Sequence, residues 1–451
     1  MVTPLGREPL GGDLTPCADG RSAGRANVAS RSAGTRDALE IVSVDLACQT
    51  VSGPGEETIA SALPMARLRE TYRMTVQLAT PVARYADRFH RLVGDEHHVA
   101  SPLGAWLVLA LAAPAATGET RDQLADVLGV PIETAAETAA ALLADPHPAV
   151  ACAVAAWRRQ LESEPLQRWL AGLPPQTEIG DIPSQDAADA WARDHTDGLI
   201  ETFPLQMSPQ TVLVLASALA TKVFWEVPFE LVPASELGTS SWALMQALQS
   251  PSRHEAAIAT TSVGDVATHT ATSTNGLAVT SVIAPPDVPP ADVLAAAHEV
   301  ALGSSATRSL FDLPLGNHPL WTVTERTAAS HDTERCTAVL PAWSAKSDHD
   351  LKSPGFGCKA AADALIALLP PGGYDFEAKQ SAVARYSRIG FEAAAVTAVM
   401  VLTSAVADRR QRAATLRFGH PFAVVAIAQG HGAWDGLPVF SAWINQPEEP
   451  E

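Results

Sequence analysis

The segment that constrains this chain most is Gly390-Phe-Glu-Ala-Ala-Ala-Val-Thr-Ala-Val-Met-Val-Leu402, because its two halves favour different secondary structures. Residues 392–395 make a good helix start, whereas 396–402 are apolar and partly β-branched, a composition that favours a strand. Such local indecision is expected where function needs two conformations. In an extended chain, side chains alternate between faces. Phe391, Ala393, Ala395, Thr397, Val399, Val401 and Thr403 then share one face, which after Phe391 is small and able to slide beneath a sheet as an added strand. Read as a helix, the same segment is an Ala-rich core helix with Glu392 near its start. Periodicity in so short an apolar run leaves both open.

The upstream text alternates helices and strands. Thr80-Pro81 predicts a helix start, a capping hydroxyl followed by Pro in the first turn. Val82, Tyr85, Phe89 and Leu92 then recur at helical spacing. Ser101-Pro102 opens a buried helix, and the uncharged run 99–118, broken by Ser101-Pro102 and Pro114, is too short at its centre to span a bilayer. Residues 149–157 read as a buried strand or helix. The continuous apolar run within 211–229 suits a central strand covered on both faces, with Trp225 a core aromatic. Residues 268–282 alternate enough for strands, and a Pro-rich loop at 285–290 precedes a helix near 291–301. Residues 1–75 are rich in Gly, Ala, Ser, Thr and Arg and read as mostly disordered. Met65 and Met74 precede the first convincing element, which leaves the true start open.

Several of these stretches resemble one family in the right order. The segment from Gly390 closely resembles the hinge of the serpin reactive loop, usually Gly-Thr-Glu-Ala-Ala-Ala-Ala-Thr-Ala. Phe418-Gly-His-Pro-Phe422 resembles the Phe-Asn-Arg-Pro-Phe that follows that loop, and Val439-Phe-Ser-Ala-Trp-Ile-Asn445 resembles the family's ending. Thr211 to Phe229, ending Lys-Val-Phe-Trp-Glu-Val-Pro-Phe, resembles the central-sheet strand beside which the loop inserts. Trp191, Thr196, Gly198 and Ile200 also hold the family pattern, as do Thr337 to Trp343. Ser381 to Tyr386 would be the other strand flanking the slot. Residues 231–335 match poorly, as if diverged or shortened. Departures stand at Ser217 for Asn, Thr221 for Phe, Phe391 for Thr or Ser, and Arg388 for Glu. The first two fall where the family controls sheet opening.

The resemblance implies an α+β serpin-like fold: a large central sheet, smaller sheets, about eight or nine helices and an exposed loop. It places an extension at 1–75, the domain at 76–447 with its loop at 388–416, and a tail at 448–451. It implies a serine-type endopeptidase inhibitor, with a serine or cysteine protease as partner and insertion of Gly390, Phe391, Glu392, Ala393, Ala394, Ala395, Val396 and Thr397 as the trapping step. The alternative is a non-inhibitory binding or carrier protein whose loop is merely cut. Family spacing from Gly390 puts the scissile bond at Ser404-Ala405, suiting an elastase-like enzyme, while counting back from Pro421 reaches Arg409, Arg410 and Arg412, suiting a trypsin-like one. The basic cluster also reads as a solvated loop tip and the easiest place to nick. Compartment stays open: extracellular by resemblance, cytoplasmic since residues 1–30 show no signal-peptide core. The Ala-rich composition suggests a bacterial source.

No enzyme chemistry competes with this reading. The chain lacks a nucleophile elbow, a zincin helix, a phosphate-binding loop and a dinucleotide fingerprint. The five cysteines (Cys17, Cys48, Cys152, Cys336, Cys358) have neither zinc spacing nor an even count. His97-His98 and His331-Asp332 read as loop residues rather than metal ligands, and no cofactor is expected. A net charge of -19 argues against nucleic acid as a partner, and a monomer is expected.

Overall fold

The computed structural model describes residues 65–160, 163–238, 240, 242–329, 332–390 and 408–450, with backbone alone at 65–78, 329 and 408. Among the described residues there are eight α-helices and eighteen strands in four sheets. The α+β class and the several-sheet architecture expected from sequence are present.

The largest sheet has seven strands in the order His98–Ala100, Pro438–Ile444, Phe422–Ala428, Leu277–Ile283, Gly264–Thr272, Glu255–Thr261, Ala306–Arg308, all antiparallel. Leu277–Ile283, Phe422–Ala428 and Pro438–Ile444 are buried at every position, Thr280, Ser281 and Ser441 included, so both faces of these strands are covered. The Pro290–Ala301 helix covers one face, setting Val293, Leu294 and Ala297 in a cluster with Val282, Val425 and Ile427. Residues 231–335 supply the four strands of this sheet from Leu277–Ile283 out to the Ala306–Arg308 edge, and Gln246–Gln249, Gly316–Asn317 and Trp321–Ala329 of the six-stranded one.

The Pro102–Ala112 helix is apolar all round and buried at all but one position, as a helix enclosed between sheets must be. The Ser101 hydroxyl accepts from the Gly104 N–H at 3.3 Å and donates to the Val439 carbonyl at 2.9 Å. This serine is thus a cap and also a tie to the large sheet.

The first helix departs from expectation. It runs Met65–Val93 with Pro81 inside rather than at its start. The missing N–H forfeits one helical bond, and the ring packs against the turn at Gly129. A Cβ on Gly129, at φ +70°, would lie 3.4 Å from the Pro81 Cβ. Tyr85 and Phe89 are buried on the inner face, with the Tyr85 hydroxyl donating to the Phe356 carbonyl at 3.0 Å.

Candidate functional site: a divided sheet and the junction above it

The site starts from two strands that sequence alone marks as central. Leu213–Ala220 pairs antiparallel with Ala151–Arg158, which pairs in parallel with Glu178–Asp181. Lys379–Tyr386 pairs antiparallel with Trp343–Asp350 along its whole length. Among the described residues no ladder joins Leu213–Ala220 to Lys379–Tyr386. The facing strands instead wall a cavity of about 780 Å³.

The buried Pro102–Ala112 helix forms the floor, contributing Gly104 and Val108. Ser217 donates to the Gly104 carbonyl at 2.9 Å, tying one wall to that floor. A Cβ at Gly104 would meet Leu219 Cδ1 at 3.4 Å and Ser217 Oγ at 3.5 Å, ordinary contact distances, so the wall packs directly on this turn of the floor helix. The opposite wall is tied by Gln380, whose amide donates to the Ser101 carbonyl at 2.8 Å and accepts from the Ser101 N–H at 3.0 Å. Thr221, at the head of the first wall, is fully buried, and its hydroxyl has no hydrogen-bond partner among the described residues. Beside the cavity, the Gln185–His195 helix ends on a turn where Thr196 donates to Ala192 O at 2.7 Å and accepts from Ile200 N–H at 3.0 Å. Gly198 at φ +83° completes that turn, which explains three of the positions noted in sequence.

Above the cavity the two walls do meet. Trp225 N–H donates to Ile389 O at 3.3 Å and Phe229 N–H to Arg388 O at 2.8 Å. The Trp225 indole donates to Ser387 O at 3.0 Å, and the Arg388 Nε donates back to Phe229 O at 3.2 Å. Trp225, Phe229 and Tyr386 form one aromatic wedge, with centroids 5.0 to 6.2 Å apart, and Trp343 stacks on Tyr386 at 5.9 Å. Gly390 bridges to Phe224 at φ +84°. A Cβ there would stand 2.6 Å from Val223 O, so the junction admits only glycine.

Downstream, Asp408–Arg417 is the interior of the six-stranded sheet. Trp321–Ala329 flanks it antiparallel and Glu334–Leu340 in parallel. Here Arg410 and Arg412, read from sequence as a loop tip, are strand residues. Glu325 pairs with Arg410 and, at 2.9 Å, with Arg412. Those guanidiniums, Arg410 first, hold the Glu325 carboxyl below its usual range. Arg412 also donates to the carbonyls of Leu310, Phe311 and Leu313, while Arg409 is exposed in the same strand. A protease needs an extended, detachable substrate, and a strand paired on both edges is not one. Trypsin under native conditions is therefore expected to spare the bond after Arg412, as read by mass spectrometry of the fragments; a cut there at native pH would show that the strand detaches.

Of the residues marked from sequence, the structure gathers Ser217, Thr221, Trp225 and Gly390 around the cavity and its junction. Phe391, Glu392, Ala393, Ala394, Ala395, Val396, Thr397, Ser404 and Ala405 lie outside the described residues. His97 is engaged structurally, with Nε2 2.7 Å from Ser344 O and Nδ1 accepting from Asn445 N–H. Sequence reasoning missed Gln380, Ser387, Phe229 and Glu325, whose partners are far away in the chain.

The family model described as serpin (serine protease inhibitor) matches residues 83–234. No curated protein matches the chain in sequence. Among solved structures, human thyroxine-binding globulin in complex with thyroxine is 14% identical, with a TM-score of 0.58 over 84% of this chain and 100% of that one. Tengpin, a thermophilic serpin in its native state, is 14% identical with a TM-score of 0.58 over 87% and 96%. Serpin48 of the insect Tenebrio molitor is 16% identical with a TM-score of 0.53 over 84% and 99%. At these identities the likeness is one of fold.

Proposed function

We take as premise that the chain belongs to the serpin family, and we propose that it is a serine-type endopeptidase inhibitor acting as a suicide substrate. The observation that carries this reading is the divided central sheet, with a cavity of about 780 Å³ between its walls and Gly390 fastened at its head. A strand entering between Leu213–Ala220 and Lys379–Tyr386 would pair on each side with an edge that carries no ladder there among the described residues. That gain, absent before cleavage, is the driving force.

The proposed sequence of events uses little chemistry of the chain's own. The protease nucleophile attacks the scissile carbonyl, Ser404-Ala405 by family spacing, and the downstream amine leaves. The acyl-enzyme then holds the protease on the upstream segment. That segment enters the cavity from Gly390 onward and carries the protease with it. Downstream, Asp408–Arg417 stays fixed by its two neighbours and Glu325, so cleavage frees one end only. Phe391 enters first, and fitting its ring beneath the wedge costs about 1 to 3 kcal/mol if the wall does not yield.

A second reading is supported by the likeness to a thyroxine-binding protein and by Phe391, Ser217 and Thr221: the fold serves as a binding or carrier protein, and its loop is cut without trapping. The test incubates the chain with elastase-like and trypsin-like serine proteases and runs the products in detergent. A covalent band of summed mass supports the inhibitor. Clean conversion to two fragments by every protease supports the carrier.

A further inference from the structure

We propose that the buried pair His254–His269 is a proton-operated release for the junction at the head of the cleft: a proton added there loosens 224–229 and, through Phe229, the hydrogen bonds to 387–390. His254 immediately precedes the Glu255–Thr261 strand and His269 lies within Gly264–Thr272, in register with Ala256 and Ser281. They are 8% and 0% exposed. Both rings press edge-on or tilted against Phe229, at centroid distances of 4.9 and 5.3 Å. Phe229 is the residue whose N–H and carbonyl both bond Arg388.

The hydrogen bonds leave one arrangement of protons. His254 Nε2 is 2.8 Å from the Val227 carbonyl, which can only accept, so that nitrogen carries a hydrogen. In the neutral ring His254 Nδ1 is then an acceptor. His269 Nε2, 3.1 Å away, must donate to it. His269 Nδ1 is left with a bare lone pair, and it has no hydrogen-bond partner among the described residues. A proton taken up by His254 Nδ1 sets two donors face to face. One taken up by His269 Nδ1 creates a buried donor with nothing to accept it. Either outcome costs free energy in an apolar site, and the way to recover it is to move the 227–229 segment and admit water.

The surrounding groups do not offset this cost. From the junction side the carboxylate facing His254 is Glu226, which favours charging but ranks behind burial. Ser281 stands opposite His269, and the Tyr386 hydroxyl adjoins Ser281. On the far side of Phe229 is the cation Arg388, and Glu255 pairs across to Thr270 at the strand end. Burial first, then His254, pushes His269 well below the ordinary 6.5, and burial lowers His254 also. A group depressed in the folded state contributes stability above its unfolded value and loses it as pH falls toward its folded one. The junction therefore weakens from about pH 6.5 downward, roughly tenfold in its opening constant per pH unit for each proton taken up.

This inference rests on the junction itself, not on the inhibitor reading, and its test involves no protease. Native-state hydrogen exchange of the full chain, corrected for intrinsic rates, is followed in peptides spanning 222–229 and 384–390 between about pH 7 and pH 5. The wild-type opening constant is expected to rise by about tenfold or more. His269→Gln keeps a donor toward His254 without a titratable ring, and His254→Gln keeps one toward Val227; in each the rise should shrink to what the remaining histidine contributes, and in the double variant it should disappear. Peptides over 96–100, where His90 and His98 form a separate buried relay, should respond as in the wild type. A junction that shows no rise in the wild type overturns the proposal. So does an equal rise in whichever variant folds.

Discussion

Cleavage at Ser404-Ala405 is expected to raise the midpoint of thermal unfolding by on the order of 10 °C. Two edges, Leu213–Ala220 and Lys379–Tyr386, face each other across the cavity without a ladder. A strand of about ten residues seated between them would make on the order of ten backbone hydrogen bonds, at roughly 1 kcal/mol net each. In a domain this large that gain corresponds to a shift of about ten degrees. The uncut chain cannot collect it freely, because Asp408–Arg417 is held on both sides and by Glu325. Differential scanning calorimetry before and after cutting reads the result. An unchanged midpoint would mean that the segment stays outside the sheet, and the inhibitor reading would give way to the carrier.

Gly390→Ala should destabilise the uncut protein by roughly 3 to 5 kcal/mol, a fall of several degrees in midpoint. A left-handed backbone costs a residue with a Cβ about 1 to 2 kcal/mol. The new methyl would also stand 2.6 Å from Val223 O and 2.9 Å from both Phe224 Cα and Trp225 N. These are backbone atoms and cannot swing away as a side chain would. The bridge to Phe224 and the Trp225–Ile389 bond are therefore expected to break, at roughly 1 kcal/mol each. Hydrogen exchange at 224–225 should rise with the fall in midpoint. A variant as stable as the wild type, with unchanged exchange there, would show that the junction does not hold Gly390.

Much of the frame was legible because it depends on periodicity and on local chemistry. The apolar run at 211–229 and the strand at 381–386 did become the two walls. Ser101-Pro102 did open the buried floor helix, and the Pro-rich stretch before 291 did lead into a helix. Local chemistry misled where packing overrode it. Pro81 sits inside the Met65–Val93 helix, where its ring packs against Gly129. Arg410 and Arg412 are strand residues because Trp321–Ala329 pairs with both, Glu334–Leu340 pairs with Arg412 from the other side, and Glu325, 85 and 87 positions away, pairs with both guanidiniums.

By itself, then, the sequence determined which segments become buried strands and helices. Burial patterns and caps act over a few residues and leave their mark in order along the chain. Only the tertiary structure decided that the two central strands stand apart over a cavity, that Gln380 clasps Ser101, and that His254 and His269 share one proton line behind Phe229. Each of those depends on residues meeting across the fold. Their distances and proton positions are set by the packing of whole elements, which no local window of sequence contains.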